Sequence, residues 1–168
     1  MTIIEPEVGP SEPLQDALMA FTACIGEALV GVCSYGLTMG DTYIPFMPDP
    51  DDDFCEEDEA ICSQAWVRVM SVQPAEGGND GWGGDCALTL ALELEVGIQR
   101  CVEIPEGGEA PTASDVMAAA LMSMEDMTAI QCAASNCEAW GNLSVGSWRP
   151  FGPTAGEYGG VWTFSVGL

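Results

Sequence analysis

The side chains that carry acid–base and nucleophilic chemistry are unevenly represented in this chain. Its 168 residues include 27 Asp and Glu residues and 8 cysteines, but no histidine, no lysine and only three basic residues, Arg68, Arg100 and Arg149. Without histidine there is no Ser-His-Asp site, no Cys-His site and no HExxH zinc helix. Without lysine there is no Schiff base and no Ser-Lys or phosphate-loop lysine. Paired carboxylates could still hydrolyse glycosides, but no pair is distinguished by its spacing, so we expect no enzyme, no catalytic residue and no cofactor.

The eight cysteines show no zinc pattern. No CxxC occurs, and the closest pairs are Cys132 with Cys137 and Cys55 with Cys62, whereas structural zinc sites draw two ligands from one tight turn. Free cysteine is often a small buried residue, so buried thiols are the leading interpretation. Disulfides formed late and metal binding remain alternatives.

The formal net charge of −24 limits the partners of the protein. Nucleic acids are held by clustered Lys and Arg that neutralise phosphates, and anionic membranes attract the same residues. Three scattered arginines cannot supply either surface. A strongly acidic surface repels polyanions, so nucleic acid would pass this protein without being held.

The densest acidic run lies in a predicted loop over residues 41–63. A calcium-binding EF-hand loop needs glycine at its sixth position and glutamate at its twelfth. Starting at Asp49 or at Asp51, both positions hold other residues. A solvated loop is therefore the leading interpretation, with adventitious cation binding or a partner-facing surface as alternatives, and its acidic residues are Asp49, Asp51, Asp52, Asp53, Glu56, Glu57, Asp58 and Glu59.

Two helices are predicted from spacing and caps. Residues 1–10 are expected to form an extended acidic arm, after which Ser11 can cap a helix that ends between Val30 and Cys33. Its apolar residues recur every three or four positions. Thr112, with Asp115 three residues later, predicts a capping box that opens a second helix to about Ser135. The expected apolar stripe of that helix, with its methionines as core filler, is Val116, Ala120, Met124, Met127 and Ile130.

Four strands complete the prediction. Alternating apolar and polar residues predict strands from Ala65 to about Val72 and over residues 87–98, where Gly97 suggests a bulge. Two short strands, Asn142–Trp148 and Val161–Val166, are expected to flank a Gly/Pro loop. The order α-β-β-α-β-β predicts a single α+β domain over residues 1–168, with an antiparallel or mixed four-stranded sheet and two helices on one face.

The segment from Trp148 to Leu168 resembles the C-terminal end of tail terminator or head-to-tail connector proteins of long-tailed phages that infect actinobacteria. It contains Trp148-Arg149-Pro150-Phe151-Gly152-Pro153, then Gly156 and Gly159-Gly160, and finally an aromatic strand with Trp162 and Phe164. The α-β-β-α-β-β order is also similar to the tail terminator fold.

This resemblance implies a structural virion protein of a siphovirus. Such a protein would form a hexameric ring that caps the tail tube, joins it to the head, and contacts the tail tube protein and the head-completion or stopper protein. The acidic run Asp49–Glu59 would suit a lumen through which DNA passes. Candidate interface residues, placed in glycine-rich loops and of types that interfaces favour, are Trp82, Trp148, Arg149, Phe151 and Tyr158.

Three other functions are consistent with the sequence. The chain could form another head–tail connector, such as the stopper or head-completion protein, or it could be an acidic DNA mimic. It could also be a secreted domain with all eight cysteines paired. The N-terminus carries neither a basic segment nor an apolar run, which a secretory signal requires. We therefore expect synthesis in the host cytoplasm and a final location at the head–tail junction of the virion.

Overall fold

The computed structural model describes residues 12–32, 34–40, 63–74, 90–101, 110–154 and 157–167. The predicted acidic arm and residues 41–62 of the predicted acidic loop lie outside these ranges. In chain order the elements are α1 (Glu12–Ala28), β1 (Ser34–Met39), β2 (Gln64–Pro74), β3 (Leu90–Cys101), α2 (Ala113–Asn136), β4 (Leu143–Thr154) and β5 (Glu157–Gly167).

The sheet confirms the α+β class but has five strands, in the order β1-β2-β3-β5-β4. β1 runs parallel to β2, and the other neighbours are antiparallel. The prediction of four strands is wrong because no strand is predicted over Ser34–Met39, which forms β1. This strand has six residues, including Gly36, and its formation depends on pairing with the distant residues Gln64–Val69.

One face of the sheet, here called the helix face, carries the core. Side chains alternate across a strand, so Val67, Val96 and Trp162, which are in register on β2, β3 and β5, point to the same side. α1 lies over β1 and β2, and α2 lies over β5 and β4. The buried apolar residues of α1 follow the predicted spacing and are Leu18, Phe21 and Ile25, and Leu29, just after the helix, continues the same line.

The start of α2 is as predicted, but its buried face is not. The Thr112 side chain accepts from the Asp115 backbone, and the Asp115 side chain accepts from the Thr112 backbone, which forms the capping box. The predicted stripe is wrong at Val116, Ala120 and Met124, which are exposed. The face turned inward consists of Ala119, Ser123, Asp126, Ile130 and Ala134.

The last two strands form a longer hairpin than predicted. β4 continues through Pro150 and Phe151 to Thr154, and β5 already begins at Glu157. The expected Gly/Pro loop is therefore mostly strand, because β5 pairs with β3 along its whole length from Glu157 to Gly167. Pro150 and Pro153 are tolerated because β4 is an outer strand of the sheet.

A disulfide joins the two helices. Cys24 of α1 is bonded to Cys137, the C-cap residue that follows the last residue of α2, across a sequence separation of 113 residues. Cys101 is also disulfide-bonded, and Cys132 is free and exposed. The interpretation as buried thiols is therefore wrong for each of these four cysteines. The free Cys132 also contradicts the expectation of eight paired cysteines in a secreted domain.

Candidate functional site: two arginine clusters and an apolar helix surface

Arg100 organises the first polar cluster, on the helix face. Its Nε and Nη2 donate to the two carboxylate oxygens of Asp126, at 2.8 and 2.7 Å, and Nη2 also donates to Val30 O at 2.9 Å. Both ionic side chains are largely buried, with 12% and 8% of their surface exposed. One guanidinium therefore links β3, α2 and the chain just after α1, where helix carbonyls lack partners.

The pKa values in this cluster follow from its contacts. Hydrogen bonding to Asp126 raises the pKa of Arg100, and the opposing effect of desolvation is smaller. Tyr158, on β5 opposite Arg100, is buried, and burial raises the pKa of its hydroxyl. The hydroxyl lies 3.3 Å from Met122 Sδ. These contacts fix the packing of α2 on the sheet, and Arg100 Nη1 also donates to Gly31 O and Ser63 Oγ.

Glu95 organises the second cluster, on the opposite or open face. Its Oε1 accepts from Arg68 Nη2 and, at 3.3 Å, from Trp66 Nε1. Its Oε2 accepts from Arg149 Nη2 at 3.4 Å. The Glu95 side chain is 5% exposed, whereas that of Arg149 is 64% exposed. The cluster ties β2, β3 and β4 together.

Gly97 explains how Trp66 fits beside this cluster. β2 and β3 pair through Trp66 and Gly97 without a change of register, so the predicted bulge at Gly97 is wrong; the irregularity lies between Val69 and Ser71. The indole of Trp66 occupies the space that a Cβ at position 97 would fill. Glycine is therefore needed here for close approach.

The outward side of α2 carries large exposed apolar side chains, with the exposed Glu125 beside them. Met117, Leu121 and Met124 are 66%, 57% and 59% exposed, and Thr128 and Cys132 continue the same line at helical spacing. An open groove of about 530 Å³ runs along this side, and it is lined by Leu121, Met124, Glu125, Thr128, Ala129 and Cys132. We call Met117, Leu121, Met124, Thr128 and Cys132 the outer stripe.

The sequence does not predict the outer stripe, because the apolar line that it predicts to be buried on α2 runs along a different side of the helix. Met117, Leu121, Met124 and Thr128 are separated by four, three and four residues, which is the spacing of helix–helix contacts. That spacing was the available signal. The polar inner face, with Ser123 and Asp126, gave no such signal because its partners are Gly159 O on β5 and Arg100 on β3.

The predicted interface residues do not form one surface. Trp148 is half-buried on the helix face, with its ring 5.9 Å from that of Trp162. Tyr158 is buried, with 4% exposure. Arg149 and Phe151 are exposed, and their register with Val161 and Gly159 places them on the open face. None of these four lies in a loop.

The remaining predicted site residues lie outside the described residues. These are Trp82 and the acidic residues Asp49, Asp51, Asp52, Asp53, Glu56, Glu57, Asp58 and Glu59.

Within the described ranges, no group of three or more Cys, Asp or Glu side chains is placed to hold a metal ion. In the same part of the chain, neither helix is long and apolar enough to cross a membrane. No protein-family model matches the chain, and no curated protein matches its sequence.

Proposed function

We propose that this chain is a structural virion subunit, a tail terminator that closes into a hexameric ring at the end of the tail tube and joins the tube to the head. The observation that carries the assembly part of this proposal is the outer stripe. Three large apolar side chains on this helix face are each more than half exposed. Large contiguous apolar patches are unusual on monomers and mark contact surfaces. The ring and its place in a virion rest on the resemblance of Trp148 to Leu168.

The use of the charged residues supports a structural role. All three arginines of the chain are in ion pairs with carboxylates that join different elements of the fold. The net charge of −24 remains, and it suits a channel through which DNA passes, because like charges prevent the DNA from binding to the wall.

The disulfide is consistent with a protein that leaves the cell in a particle. Disulfides persist in oxidising environments and are rare in a reducing cytoplasm. We infer that Cys24 and Cys137 are thiols when the subunit is made, and that after the particle is released dissolved oxygen takes two electrons and two protons from them as the disulfide forms.

The assembly is tested by measuring molar mass with light scattering during size-exclusion chromatography, with negative-stain electron microscopy of the same fractions. We expect a ring with a central hole. Leu121→Glu should abolish it, because the charge would be buried without a partner. The matched control is Ala118→Glu, which adds the same charge at an exposed position of α2 beside the stripe. A wild-type chain that stays monomeric and is absent from purified particles would contradict the proposal.

The acidic lumen is tested separately. Replacing Asp51, Asp52 and Asp53 with lysine should lower the yield of infectious particles, because DNA would then be held by the wall. An unchanged yield would mean that the acidic run is only solvated surface. The neighbours of the ring in a purified particle distinguish a tail terminator from a stopper or head-completion protein.

A further inference from the structure

A small cavity lies between the end of α1 and the middle of α2. Its volume is about 240 Å³, which is smaller than the roughly 300–1,000 Å³ of pockets that hold drug-sized ligands. It therefore suits a small molecule or a single side chain. We call it the interhelix cavity, and its lining includes the apolar residues Leu29, Met122 and Ala129 and the charged residues Arg100, Glu125 and Asp126.

Glu125 is an exposed carboxylate that pairs with none of the three arginines. Arg100 and Asp126, the other two charged residues of the cavity, lie 2.7 Å apart and neutralise each other. The remaining two arginines pair with Glu95 on the open face, and the chain contains no lysine and no histidine. A cationic side chain that binds Glu125 must therefore come from another molecule.

The end of α1 adds negative potential to the interhelix cavity. The carboxyl end of a helix carries a partial negative charge, and the last turn of α1 contains no basic residue and includes the exposed Glu27. Arg100 offsets part of this potential by donating to Val30 O at 2.9 Å, but the charge of its guanidinium is balanced by Asp126. A cation in the cavity is therefore attracted by Glu125 and by the helix end.

The apolar lining indicates which kind of cation the cavity suits. Within the described ranges no group of three or more Cys, Asp or Glu side chains is placed to hold a metal ion. Lysine combines a compact ammonium group with a flexible four-carbon chain that packs on apolar surface, and Leu29, Met122 and Ala129 offer such a surface. A diamine fits less well, because its second ammonium group would have no second unpaired carboxylate among these lining residues.

We propose that the interhelix cavity receives a lysine side chain of a partner protein, with the ammonium group donating to Glu125 and the alkyl chain lying against Leu29, Met122 and Ala129. The partner is not a second copy of this chain, which has no lysine, so the site goes beyond the proposed ring. The net charge of −24 should speed the approach of a basic partner. Added salt should weaken the contact by screening it.

The test uses the methyl group of Met122. The full-length protein is labelled with ¹³C at its methionine methyl groups and titrated with Nα-acetyl-lysine N-methylamide, and Met122→Leu identifies the Met122 signal. This signal should shift and saturate, whereas that of the exposed Met39, at the opposite end of β1, should not move. The matched ligand is Nα-acetyl-norleucine N-methylamide, which has the alkyl chain without the charge and should bind roughly tenfold more weakly.

Two variants separate the charge from the cavity. Glu125→Gln should weaken the binding of the blocked lysine by roughly tenfold, because a hydrogen bond to a charged group is lost. Glu138→Gln, which changes an exposed carboxylate just after α2, is the matched control and should leave the affinity unchanged. Ala129→Leu keeps Glu125 but fills the cavity, so it should also weaken binding.

Four results would overturn the proposed site. These are equal affinity for the norleucine ligand, no loss of affinity in Glu125→Gln, a joint shift of all exposed methionines, and tighter binding of 1,4-diaminobutane than of the blocked lysine. Each would leave the proposed function standing, because that function is tested by molar mass and by presence in particles. A chain that binds the blocked lysine as expected but stays monomeric and is absent from particles would keep this site and contradict the ring.

Discussion

Both arginine clusters are built on ion pairs between arginine and a carboxylate, but the central residue is a cation in one cluster and an anion in the other. On the helix face the cation is the centre, because Arg100 donates to the Asp126 carboxylate and to the Val30 carbonyl just after α1. On the open face the anion is the centre, because Glu95 accepts from Arg68, Trp66 and Arg149. The first cluster holds a helix on the sheet, and the second holds strands to one another.

This difference shows which partners are costly to remove. Asp126 and Arg100 are both largely buried, so loss of either partner leaves a buried charge alone. Glu95 is buried but has three donors, so it can lose one and keep the others. Arg149 is mostly exposed, and water can replace its contact. The loss of stability on substitution should therefore be largest at Arg100, smaller at Glu95 and smallest at Arg149.

Arg100→Met should have the largest effect. It leaves the Asp126 carboxylate buried without a cation and removes the donor to Val30 O, and breaking a buried pair in this way costs about 3–5 kcal/mol of the free energy of unfolding. Urea denaturation followed by circular dichroism measures the loss. The double variant Arg100→Met with Asp126→Leu is the control and should recover part of the stability. A loss no greater than that of Arg149→Ala would contradict the central role of Arg100.

Glu95→Gln should have a smaller effect. The amide still offers one oxygen to the donors, but Arg68, with 16% of its side chain exposed, loses its carboxylate, and hydrogen bonds to charged groups contribute about 1.5–3 kcal/mol each. We expect the free energy of unfolding, measured by urea denaturation, to decrease by about 1.5–3 kcal/mol. Glu93→Gln, which changes an exposed carboxylate on the same strand and face, is the matched control. Equal losses in the two variants would show that Glu95 is not the centre of its cluster.

Tyr158 links stability to pH on the helix face. Its pKa is raised by burial above the ordinary value of 10.0, so the folded state keeps the phenolic proton more tightly than the unfolded state. Its contribution to stability is therefore complete below pH 10.0 and is lost as pH rises through the raised folded pKa. An absorbance titration of the three tyrosines should show a late step that Tyr158→Phe removes. If Tyr158→Phe lowered the amplitude of the titration without removing a late step, the prediction would be wrong.

Arg149→Ala should have the smallest effect. With 64% of its side chain exposed and a contact of 3.4 Å to Glu95, it resembles surface ion pairs, which contribute about 0–1 kcal/mol. At low salt we expect urea denaturation to show a decrease in the free energy of unfolding near the lower end of this range. At high salt we expect no measurable decrease. A loss comparable to that of Glu95→Gln would mean that the open face depends on both arginines equally.

The parts of the fold that depend on local chemistry could be predicted from the sequence. The capping box at Thr112 and Asp115 and the apolar alternation of β3 each involve neighbours within a few residues, so their pattern is visible in the chain itself. β1 could not be predicted in this way, because its only strand partner in the described part of the sheet begins at Gln64. The length of the β4–β5 hairpin likewise depends on pairing with β3.

The candidate surfaces were less accessible to sequence reasoning. On α2, apolar residues occur on more than one side of the helix, so the helical period alone does not show which side is buried. The buried side of α2 is determined by Asp126, because this residue must face inward to reach Arg100 on β3. Once Asp126 is inward, Met117, Leu121 and Met124 point outward. The predicted aromatic residues at 148 and 158 are instead covered by their own fold.

The Cys24–Cys137 disulfide also affects how the protein responds to proteases. The bond closes a covalent loop that contains β1, β2, β3 and α2, while β4 and β5 lie outside it. A single cut anywhere between the two cysteines leaves both fragments on one molecule until a reducing agent is added. A nicked chain would therefore stay joined under oxidising conditions, and the cut would become visible only on a reducing gel.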